Sequence, residues 1–152
     1  MRSAVPVAVC FVLILAWGPL CAFGHENTPP DQQSIEVLEA KAGQAKARDQ
    51  CFLYAKIVHD MTELSLHQYV AGNVTVADSL LREVQSMVKK VHLSLARNDR
   101  RLIRAQILLS NTAFRLTEML HASNYQDQRL VKETLAEVNE AQRETMMQVF
   151  QK

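Results

Sequence analysis

The sequence predicts an all-α protein: an antiparallel up-down four-helix bundle, preceded by a cleavable signal peptide and a weak N-terminal helical extension. Three observations carry that expectation. The first 24 residues hold an unbroken apolar run, Val7 to Trp17. No proline follows Pro30, and only Gly43 and Gly72 follow it as glycines. From about residue 51 onward apolar side chains recur at steps of three and four, the period of one helix face.

Residues 1–24 read as targeting rather than structure. Arg2 is the one charge of a short leading region, the apolar run follows, and Gly18-Pro19 breaks any helix there. Small residues at peptidase spacing place the cut before His25, after Ala22-Phe23-Gly24, or before Phe23, after Leu20-Cys21-Ala22. The run is shorter than the roughly 20 apolar residues a membrane span needs, so no stable anchor is expected after cleavage. A periplasmic or secreted location follows. Residues 25–33, with Pro29-Pro30, read as a disordered leader.

Ser34 is a good helix N-cap. Residues 34–50 form the expected extension, with a thin apolar stripe of Ile35, Leu38, Ala42 and Ala45. Such a stripe suits either a protruding helix continuous with the next one or a loosely docked one. The bundle domain spans residues 51–152. Its first helix, 51–71, presents Cys51, Tyr54, Ala55, Val58, Met61, Ser65 and Tyr69 on one face. Gly72-Asn73 ends it, as a left-handed C-terminal position requires. The second helix, about 75–97, opens on a capping box from Thr75 to Asp78 and buries Ala77, Leu80, Leu81, Val84, Met87, Val88, Val91 and Leu95. The third, about 99–122, is assigned a stripe of Leu102, Ile103, Gln106, Leu109, Ala113, Leu116, Thr117 and Leu120. The last, about 127–150, uses Leu130, Val131, Leu135, Val138, Ala141, Thr145, Met146 and Val149. Helices of about 22 residues are about 33 Å long, and short turns between them favour antiparallel neighbours.

Composition excludes some function classes. The whole chain has 17 basic and 16 acidic residues, and removing Arg2 with the signal peptide leaves the two signs balanced. A nucleic-acid binder would need a basic excess to displace counterions. Of three cysteines, Cys10 and Cys21 leave with the signal when the later cut is used. The mature domain therefore has no internal disulfide, and Cys51 is a buried thiol or the site of an intermolecular one.

The most metal-like pattern is His59-x-x-x-Glu63-x-x-x-His67. Spacing of four stacks ligands one turn apart, and imidazole with carboxylate suits zinc or copper. The set drifts from the flank of the apolar stripe onto the polar face, so solvated side chains are the expectation and a divalent metal the alternative. Glu118-x-x-His121 has the spacing of di-iron carboxylate bundles, but such sites need a second pair and two more inward glutamates, and the last helix has no histidine. Met61 opposite a histidine is a haem-ligating pair in principle, and a methionine on a core face is usually packing. Arg97, Arg100, Arg101 and Arg104 make one end of the bundle basic and are the candidate docking patch for an anionic partner. No nucleophile triad or phosphate loop can be picked out, so no enzyme is expected. The functional expectation is an exported interaction or accessory protein, scaffold or chaperone-like, acting through an unknown protein partner or self-association. A metal- or haem-binding bundle is the alternative.

Overall fold

A computed structural model describes residues 30–95 and 101–151. They are all-helical, with five helices: α1 (Gln32–Gln44), α2 (Ala47–Val70), α3 (Val74–Leu95), α4 (Leu102–Ala122) and α5 (Gln128–Phe150). The signal segment and most of the leader lie outside the described residues.

The helix of the extension starts earlier than its sequence suggests. Asp31, not Ser34, is the N-cap: its Oδ1 accepts the Ser34 amide at 2.7 Å. That bond holds the Asp31 carboxyl below its ordinary range. Ala45 and Lys46 are both extended and separate α1 from α2. The boundary expected at 50/51 therefore falls inside α2. Helix α1 folds back along α2 and touches no other helix. Ile35 and Ala42 are fully buried there, and the Gln50 side chain donates to the Ala42 carbonyl at 3.5 Å. Docking of α1 requires a second apolar face on α2, and Leu53 and Ile57 supply it. Both are buried although they lie about 100–140° round the helix from the Cys51–Val58–Ser65 stripe.

The α2–α3 turn forms as its residues dictate. Gly72 has φ +84. Its amide donates to Tyr69 and the Asn73 amide to Gln68, the paired bonds of a Schellman ending. Because the Asn73 carbonyl accepts from Val76 and Ala77, α3 begins at Val74. Thr75 sits inside the first turn and is not its cap. The expected α3 stripe is buried at every position.

The other stripes need correction. On α4 the buried side is Leu102, Ala105, Leu109, Thr112, Ala113, Leu116 and Met119. Ile103 is 63% exposed. On α5 Thr134 is buried and Met146 is 44% exposed. The core is made of Leu, Val, Met, Ile and Ala with interspersed threonines, and no aromatic side chain among the described residues is fully buried. Thr62, Thr112, Thr134 and Thr145 each return their hydroxyl proton to the carbonyl one turn back. No described buried side-chain polar atom is left without a partner. This matters because an orphaned buried hydroxyl costs about 1–3 kcal/mol.

Helix order differs from the simplest expectation. The hairpins α2–α3 and α4–α5 are antiparallel neighbours, as short turns predict. Helices α3 and α4 are not backbone neighbours, and the remaining neighbouring pairs are α2 with α4 and α3 with α5. Those two pairs run parallel. Thr112 and Arg115 of α4 meet His59 and Glu63 of α2 in ascending order. Thr134 and Glu144 of α5 meet Gln85 and His92 of α3 likewise. Helix α4 thus stands against α2 rather than against the preceding α3.

Candidate functional site

The parallel α2–α4 seam holds most of the sequence-derived candidates. Steps of four place His59, Glu63 and His67 on one flank of α2, advancing about 40° per step. Only the first two reach α4. The His59 Nδ1 lies 3.3 Å from the Thr112 hydroxyl. That hydroxyl already donates to the Leu108 carbonyl at 2.8 Å. With its one proton engaged, it can only accept, so the neutral ring carries its proton on Nδ1.

Glu63 is held by a fork. Arg115 Nε is 2.7 Å from one carboxylate oxygen and its Nη2 is 2.9 Å from the other. The remaining guanidinium nitrogen bonds Glu118 at 2.5 Å. Two parallel charge-assisted bonds fix both orientation and register of the two helices. His67 is exposed beyond the end of this network. The three residues are therefore not brought together as a ligand set, because Arg115 occupies the carboxylate and Thr112 takes the nearest imidazole nitrogen. No group of three His, Cys, Asp or Glu side chains able to hold a metal ion occurs among the described residues.

Burial pushes the His59 imidazole below its ordinary value of 6.5, with Lys56 and Arg115 adding to that and Glu63 and Asp60 opposing it. A group whose folded value is depressed takes up protons more readily in the unfolded chain. Stability is then present above the unfolded value and lost as pH falls through the folded one. The urea midpoint is expected to drop between pH 7.5 and pH values below 6. His59→Gln should flatten that part of the profile, and an unchanged slope in the variant would assign it elsewhere.

The basic patch is only partly placed. Arg97 and Arg100 lie outside the described residues. Arg101 does not face outward alone: its Nε is 3.7 Å from Asp49 and its guanidinium lies 5.2 Å from the Phe52 ring centroid. It ties the start of α4 to the first turns of α2. Arg104 is exposed. Cys51 is fully buried, so a disulfide to another chain would require the N-terminal turns of α2 to open.

The strongest surface feature was not among the sequence candidates. Helix α4 carries a second apolar stripe, Ile103, Ile107 and Phe114, which are 63%, 50% and 63% exposed. Ser110 continues the same line at helical spacing. Beside it Met146, Met147 and Phe150 of α5 are exposed as well. Ile103, Gln106, Met146, Val149 and Phe150 line an open groove of about 280 Å³ between the two helices. The signal was legible as steps of four, three and four along 103–114. Assigning Ile103 to the core stripe hides it, since Ile103 is 63% exposed.

No helix among the described residues is long and apolar enough to cross a membrane. Set against family models, curated proteins and solved structures, the chain matches none.

Proposed function

We propose that this chain is an exported interaction protein, accessory, scaffold or chaperone-like, acting in a periplasm or outside the cell without catalysing a reaction. Its working part is a four-helix bundle of α2–α5, with α1 as a docked extension and residues 1–24 as a signal peptide. The observation that carries this reading is the exposed apolar surface of α4 and α5. Large apolar side chains gathered on one side of a soluble domain mark a contact surface. The groove at Met146, Val149 and Phe150 offers a partner an apolar anchor, and the rigid helices beneath it need no rearrangement to receive one.

The leader reading predicts that protein recovered from the envelope or medium begins at His25 or Phe23; an intact Met1 would count against export. The contact reading is tested by placing a photoreactive phenylalanine analogue at Phe150 in the native host. A discrete adduct with a second protein is expected, and it should vanish when Met146→Asp is added. Stoichiometric metal or haem in the native protein, lost on His59→Ala or His67→Ala, would overturn the reading in favour of a cofactor-binding bundle.

A further inference from the structure

We propose that the outward face of α4 is a self-association surface, joining two copies of this chain antiparallel about a two-fold axis between Ser110 and Asn111. This deepens the interaction reading above and rests on it. Ile103, Ile107, Ser110, Phe114 and Glu118 form one continuous ridge, about 22 Å long at helical rise. Ridges built on steps of three and four are the ones that seat into a facing helix. About the stated axis the ridge is complementary to itself. Ile107 lies opposite the partner's Phe114, and the small polar Ser110 and Asn111 meet at the centre, where two helices must approach most closely.

Charge selects this occupant and this direction. The N-terminal half of the ridge is flanked by the exposed cation Arg104. Its C-terminal half ends in the Glu63–Arg115–Glu118 cluster, two carboxylates on one guanidinium, with one net negative charge. Antiparallel pairing sets Arg104 beside the partner's Glu118, and symmetry makes the contact twice. Parallel pairing would stack Arg104 on the partner's Arg104 and align the two helix dipoles head to head. A C2 interface needs one patch that is its own complement, and this ridge meets that condition.

Sedimentation equilibrium on the purified full chain, over micromolar concentrations, tests the proposal. A dimer is expected. Ile107→Asp and Phe114→Asp should each weaken it at least about 100-fold, since each puts a charge at the centre of an apolar contact. Arg104→Glu alone and Glu118→Arg alone should weaken it about tenfold, and the double variant should recover most of the loss. Circular dichroism should be unchanged throughout, because all four positions are exposed. A monomer at every concentration overturns the proposal. So does a dimer indifferent to these substitutions, which would place association in residues 1–29 or in the α4–α5 groove. A monomer that still yields the Phe150 adduct removes the dimer and leaves the interaction reading standing; loss of both removes the two together.

Discussion

Leu109→Ala is expected to lower unfolding stability by about 3–4 kcal/mol, a large part of the roughly 5–15 kcal/mol of an ordinary domain. Leu109 is fully buried at the inner face of α4, among the largest such side chains. Truncation removes its transfer free energy and leaves a cavity that helices pinned by neighbouring contacts cannot close. Ile103 is the instructive control. It is six residues away on the same helix, similar in size, and equally apolar, yet mostly exposed. In dilute monomeric samples Ile103→Ala should change stability by less than about 0.5 kcal/mol. Urea midpoints at constant slope measure both. Equal losses would mean that α4 is rotated from the orientation described above.

Ile35→Asp is expected to release α1 and leave α2–α5 folded. The Ile35 site has no solvent exposure, and Lys56, the α2 cation that borders α1, is already paired with Asp60 at 2.7 Å. Burying a carboxylate there uncompensated costs several kcal/mol, more than one short helix gains by docking. Detached, the 13 residues of α1 are too few to stay helical in water. The variant should lose ellipticity equivalent to that helix. Amide exchange should accelerate over residues 35–45 while α3 and α5 remain protected. It should also bind hydrophobic dyes, since Leu53 and Ile57 are uncovered. Global unfolding instead would show that α1 is integral to the cooperative unit.

How much of this was legible in the sequence varied by element, for physical reasons. The buried stripe of α3 is legible because its eight expected residues all face inward, while its cap is not Thr75 and Ser94 is buried beside the stripe. Helices α2 and α4 each carry two apolar stripes, and a single-face reading merges or drops one. On α2 a single-face reading omits the Leu53–Ile57 side, which leaves α1 open between a protruding helix and a loosely docked one. On α4 Ile103 was drawn into the core set and the outer ridge disappeared. Periodicity reports that a face is apolar, not what covers it.

The site candidates fared similarly. Spacing of four placed His59 and Glu63 on one flank of α2, and that much is seen. It could not reveal Arg115 or Thr112, which arrive from a helix some 50 residues on in the chain. Their arrival depended on α2 and α4 being parallel neighbours. Turn length specifies direction between consecutive helices but not which helix lies beside which, so that arrangement was outside the reach of sequence.

The meeting of the two hairpins has a consequence of its own. Among the described residues the two hairpins meet through side-chain contacts such as His59–Thr112, Glu63–Arg115 and His92–Glu144. The α2–α3 hairpin therefore meets α4–α5 much as one subunit meets another. An α4–α5 unit donated by a second molecule would present the same Thr112, Arg115, Thr134 and Glu144 to the same partners, His59, Glu63, Gln85 and His92.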